Sequence, residues 1–207
     1  MTAYTRPVIE PRVFVDAAGD PIPYGSRWPG SPPEDTYSVT SDLERFAPLH
    51  DIAEAILAWL VATYRVSVAD DPSIAADHAR PMQDVRRAVR VTPDDPDAAP
   101  LTIVWTGFPG IRVHAGILFD AVFPSCGCDA CDEEWESVAH ELEWTTRAIV
   151  DGGFSESNDP DLDLSIGFAL DEPGVAARSG RSRAQDHPVD RVALLGRERR
   201  WAPWPVR

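Results

Sequence analysis

Apolar residues at Leu49, Ile52, Ala53, Ile56, Leu57, Leu60 and Tyr64 recur at helical spacing and predict one continuous buried stripe. Pro48 suits the first turn of that helix, and Ser41 with Glu44 three residues on predicts a capping box ahead of it. The helix should end before Val66-Ser67-Val68, with Asp70-Asp71-Pro72 marking a turn. A second stripe, Trp135, Val138, Ala139, Leu142, Thr146 and Ile149, predicts a helix over about 133–150. Asp132, Glu133 and Glu134 favour its positive N-terminal end, and Gly152-Gly153 stops it. Between the helices the period changes to two. Residues 101–106 and 111–119 are β-rich runs around Gly107-Phe108-Pro109-Gly110, so they predict a hairpin. Residues 85–91 are a further strand candidate, although Arg86, Arg87 and Arg90 interrupt it. Residues 162–170 alternate Leu162, Leu164, Ile166 and Phe168 on one face. The order of elements predicts an α+β fold, with two main helices packed on a mostly antiparallel sheet.

Three segments follow from the punctuation. Residues 1–40 hold a short hairpin over 13–24, its turn around Gly19, and a proline-rich arm from Gly25 to Pro33. Residues 41–172 form the α+β core, with a cysteine loop at 124–132. Residues 173–207 begin with a small, polar, Arg-rich stretch read as a loop over 174–185 and end in an Arg/Trp tail. In that tail, Trp201 and Trp204 favour a clamp on the domain over an external partner.

Composition narrows the chemistry. The 207 residues include 34 acids and 19 arginines with no lysine, for a net charge of −15. Without a lysine amine there is no Schiff base, no pyridoxal phosphate anchor and no phosphate-binding P-loop. The acidity argues against a general affinity for nucleic acid. The charge is uneven, however. Residues 178–207 carry eight arginines against three acids, +5, so residues 1–177 carry −20. Nucleic-acid contact is therefore not expected except through the Arg/Trp tail, and the acidic body suits a basic protein partner. The first twenty residues have no signal-peptide pattern, and the longest apolar run, around Ile52 to Tyr64, carries Glu54. A cytoplasmic protein without a membrane span is expected.

The chemistry that remains sits in one loop. Cys126, Cys128 and Cys131 are spaced Cys-x-Cys-x-x-Cys, which lets three thiols converge on a soft cation such as Zn²⁺. His114 is the candidate fourth ligand, with Asp129 or Asp132 as the alternative. His140 would lie roughly 12 Å along its helix from the loop and is too far away. A redox reading also stands, since Cys128-Asp129-Ala130-Cys131 precedes a helix, but the adjacent acids oppose a low thiol pKa. The third possibility is reduced thiols packed as small apolar groups.

The loop Cys126-Gly127-Cys128-Asp129-Ala130-Cys131-Asp132-Glu133 occurs with an opening Met1-Thr2-Ala3-Tyr4-Thr5-Arg6-Pro7-Val8 and a run from Tyr37 to His50. Pro109-Gly110 before Val113-His114-Ala115-Gly116 completes the set. Together these resemble an uncharacterised actinobacterial family, a domain of unknown function. That resemblance implies a bacterial cytoplasmic protein and brings no catalytic residue. Other motifs fail on a required residue: His140-Glu141 lacks a second histidine where Trp144 stands, and no Gly-x-Gly-x-x-Gly occurs. The first expectation is a non-enzymatic binding or interaction domain, adaptor- or immunity-like, with a structural zinc at the cysteine loop. The alternative is a metal-assisted or thiol-redox enzyme using that loop and His114.

Overall fold

The computed structural model describes residues 3–207, so Met1 and Thr2 of the opening run lie outside the described residues. The first half holds α1 (Pro48–Thr63), β1 (Val66–Asp70), a 3-10 helix (Pro72–Asp77), β2 (Val85–Pro93), β3 (Leu101–Thr106), β4 (Ile111–Ala115) and β5 (Phe119–Phe123). The second half holds α2 (Trp135–Val150), β6 (Phe154–Asn158), β7 (Ile166–Glu172), β8 (Ala176–Ser182), α3 (Val189–Leu195) and β9 (Glu198–Arg200). The fold is α+β, as the patterning predicts. Its antiparallel strands divide into two sheets, ordered β1-β2-β3-β4-β5 and β8-β7-β6-β9.

The larger sheet explains where everything else sits. Val89, Val91, Leu101, Ile103, Trp105, Ile111, Val113, Ala115, Phe119 and Phe123 alternate along four strands and form one apolar face. Helices α1 and α2 lie against one another over this face, and the expected stripes of both helices are buried apart from the half-buried Trp135. The opposite face carries Arg90, Thr102, Arg112, His114 and Asp120, partly covered by the 3-10 helix Pro72–Asp77. Leu43–Thr63 is the one stretch among the described residues long and apolar enough to cross a membrane by length and composition. It exceeds the Ile52 to Tyr64 run read from the sequence, and its buried apolar side chains belong to the core.

Four expectations change. There is no capping box: Ser41 N–H donates to Asp129 Oδ1 at 3.0 Å, and Asp42, in a left-handed conformation, precedes a 3-10 turn at Leu43–Phe46 with no side-chain cap. The run 111–119 breaks at Gly116 (φ 64°), where a Cβ would stand 2.3 Å from Glu156 Oε2, so its end starts β5 instead. Leu162 and Leu164 are exposed loop residues, and the strand starts at Ile166. The Arg-rich loop is largely strand β8, an edge strand whose polar side chains hide its pairing with β7. The N-terminal hairpin is present in minimal form, as a bridge between Val15 and Pro21.

The tail is part of the fold. β9 pairs with β6, Trp201 is 6% and Trp204 3% exposed, and Trp204 Nε1–H donates to Ala99 O at 2.9 Å. Glu156 of β6 binds the whole arrangement together. Its carboxylate accepts N–H bonds from Ile117 (2.9 Å), Leu118 (2.7 Å) and Phe119 (3.0 Å), and from Trp201 Nε1 (3.0 Å). One side chain thus closes the β4–β5 turn and anchors the tail.

Candidate functional site

The cysteine loop leaves the end of β5 and is held from three sides. Glu133 accepts from Ser125 N–H, Ser125 Oγ–H and Cys126 N–H, closing the loop's first half at 2.6–3.2 Å. The N-terminal arm lies over the second half: Asp129 N–H donates to Val39 O (2.7 Å) and Ala130 N–H to Thr36 O (3.2 Å). Two arginines complete the support. Arg45, 3% exposed, donates to Gly127 O at 3.0 Å and to Ser41 O, and Arg27 donates to Asp129 O at 2.7 Å. The Tyr24 ring lies between these guanidiniums, 4.7 Å from Arg27 and 4.4 Å from Arg45. Gly127 is needed for space, because a Cβ there would stand 2.5 Å from the Phe108 ring.

In this frame the Sγ atoms of Cys126, Cys128 and Cys131 all lie within 4.8 Å of one another, close enough to hold a metal ion. Cys126 Sγ is 3.2 Å from Cys128 Sγ, well beyond a disulfide bond, and all three cysteines are free. A tetrahedral Zn–S bond of about 2.3 Å puts sulfurs about 3.8 Å apart, so the donor set fits a soft cation after a small adjustment. The Cys126 thiol and the Cys131 amide hold the Cys128 thiol down to about 7. The thiols of Cys126 and Cys128 push Cys131 up to about 12.

The fourth-ligand candidates are placed elsewhere or already engaged. Asp129 accepts from Ser41 N–H and lies 3.6 Å from Arg45 and 3.9 Å from Arg27. Asp132 accepts from Arg27 N–H at 2.8 Å and pairs with its Nε at 3.1 Å. His114 is not among the groups gathered with the thiols. The reason is register: His114 faces Asp120 across β4–β5, and its Nδ1–H donates to Asp120 Oδ1 at 2.8 Å on the outer face of the sheet. A metal on the three sulfurs would therefore take water or an external ligand in its fourth position.

The pairing of His114 exposes a second cluster that sequence reading missed. Asp120 also meets His78 Nδ1 at 3.1 Å and accepts from Ala79 N–H at 2.9 Å. Burial alone would raise the Asp120 pKa, but the two histidines outweigh it and hold the carboxyl well below the usual range. Behind it, Asp77 accepts from Arg90 Nε at 2.7 Å and from Thr102 Oγ1 at 2.6 Å. Period-two alternation does place Arg112 and His114 on one face. Nothing in the sequence brings His78 to them.

The chain belongs to a family of unknown function (DUF6226), whose model matches residues 10–207. No curated protein and no solved structure matches the chain.

Proposed function

We propose that this member of a family without an assigned function is a non-catalytic binding domain of the bacterial cytoplasm, stapled by a structural zinc at Cys126, Cys128 and Cys131. The observation that carries the reading is the convergence of three free thiols within 4.8 Å in a loop braced by Arg27, Arg45 and Glu133. A bound Zn²⁺ would fix the shape of the loop that the arm and Glu133 already hold by hydrogen bonds, a role suited to stability. Free thiols at this distance also suit a reducing compartment. The body's −20 charge, outside the last thirty residues, suits a basic protein partner in an adaptor- or immunity-like role. The enzymatic alternative at this loop would have to operate without His114, whose Nδ1 is bonded to Asp120.

Native mass spectrometry of protein purified without added metal tests the proposal. One zinc per chain is expected, lost on chelation and absent in Cys128→Ser, with a fall in melting temperature in both cases. A metal-free mass with three titratable thiols after zinc loading would overturn it.

A further inference from the structure

We infer that the cleft between the two sheets, on the outer face of β4 and β5, is a binding site for a small molecule with an anionic phosphate or carboxylate head and an apolar body. The inference does not rest on the zinc loop. The cleft encloses about 550 Å³, within the range that takes a small ligand.

The arginines are the first argument. In a chain with 34 acids and 19 arginines, an arginine without an acidic neighbour stands out. Eleven of the nineteen lie in ion-pair reach of a carboxylate. Three of the other eight, Arg80, Arg112 and Arg181, line this one cleft. Arg181 donates only to Leu164 O at 3.3 Å, and the guanidiniums of Arg80 and Arg112 have no partner among the described residues. Guanidinium forks match the oxygens of phosphate and carboxylate.

Carboxylates also line the cleft, but the oxygens of two of them are already engaged by groups of this chain. Asp120 is held by His78 and His114, and Glu156 by its four N–H donors. Asp186 remains at the exposed rim.

The second argument is the orphaned nitrogens. His78 is 6% exposed and uses Nδ1 on Asp120, while its buried Nε2 has no partner among the described residues. His187 Nε2 is 2.7 Å from Ser182 Oγ, and its buried Nδ1 also has none. Buried polar atoms of native proteins are generally satisfied, and two of the eight that lack a partner among the described residues belong to histidines that line this cleft.

The third argument is the apolar wall. Phe168 meets Phe119 edge-on at 4.8 Å, and Leu118 and Ile166 lie beside them. Gly180 leaves the space for that ring, since a Cβ there would stand 2.5 Å from Phe168. An anionic head thus has arginines to meet, and an apolar body has Phe168.

Calorimetric titration with phenyl phosphate, inorganic phosphate and benzoate tests this. One saturable site is expected for phenyl phosphate or benzoate, at least about tenfold tighter than for inorganic phosphate, with the preferred aryl probe identifying the head group. Arg112→Gln and Arg181→Gln should each weaken binding about tenfold, as loss of a charged hydrogen bond does, and the double variant should abolish it. Arg86→Gln and Arg197→Gln, outside the cleft, should bind as wild type. Neither cleft arginine is in an ion pair, so melting temperatures should stay unchanged. If a cleft variant nonetheless unfolds, Gly180→Val, which drives the Phe168 ring aside, should reduce binding of the aryl probes more than of phosphate. Absence of binding at millimolar probe, or equal weakening in the cleft and control variants, would overturn the inference.

Discussion

Replacing Trp204 with alanine tests how the tail is held. The indole is 3% exposed, meets Tyr64 edge-on at 5.6 Å, and donates Nε1–H to Ala99 O at 2.9 Å. Truncating a buried tryptophan costs about 3–5 kcal/mol, and the orphaned Ala99 carbonyl adds about 1 kcal/mol. The rim charges contribute far less: Arg199 reaches Asp97 only at 3.8 Å, with the aspartate side chain 83% exposed. For a domain of this length each kcal/mol moves the melting temperature by about 2–4 °C, so Trp204→Ala should lower it by roughly 8–24 °C. Trp204→Phe keeps most of the bulk and loses the donor, so a loss of about 1–2 kcal/mol, or roughly 2–8 °C, is expected. Thermal unfolding followed by circular dichroism reads both. A shift below about 2 °C for the alanine variant would mean that the tail adds little to the folded domain, and the clamp reading would fall.

Glu156→Gln puts an amide against two N–H donors and should cost about 3–5 kcal/mol, read as a lower urea midpoint; an unchanged midpoint would show that the β4–β5 turn holds without it. Asp120 has a folded pKa below its unfolded value near 3.9, so the unfolded chain binds the extra proton. Its stabilisation should be fully present above about pH 5 and fade as the pH falls further; urea titrations at stepped pH should show a shallower acid slope in Asp120→Asn, and equal slopes would contradict the histidine pairing. Gly127→Ala should displace the Phe108 ring and cost about 1–2 kcal/mol with an unchanged m-value; a neutral midpoint would show that this half-exposed ring gives way freely.

Both helices are legible because their stripes meet a single continuous apolar face, so the 3.6 period survives in the sequence. The second sheet is legible only at β7, which the strand read over 162–170 meets from Ile166 onward. β6 reads Phe-Ser-Glu-Ser-Asn, and its Glu156 is buried only because four donors from distant segments surround it. β8, Ala-Ala-Arg-Ser-Gly-Arg-Ser, is a polar edge whose only strand signal is its pairing with β7. The same division holds for the sites. The thiols are legible from spacing, whereas their braces reach across 82 and 102 residues, from Arg45 to Gly127 and from Arg27 to Asp129. His114 was expected at the loop because β4 precedes it; strand register instead places it opposite Asp120.

That register also explains why one strand pair serves two purposes. Side chains alternate along β4 and β5, so Ile111, Val113 and Ala115 point to the helices while Arg112 and His114 stand on the other face. The inner set has the apolar burial that stabilises the domain. The outer set would be expensive to bury unpaired, and His114 is accommodated by its bond to Asp120. Arg112 has no such partner among the described residues, and it is half-buried beside a cleft lined by His78 and His187. A merely solvated face would leave its polar atoms open to water. Here the cleft sets Arg112 beside the Phe168 wall and leaves buried nitrogens of His78 and His187 without a partner among the described residues, so solvation alone does not account for this face.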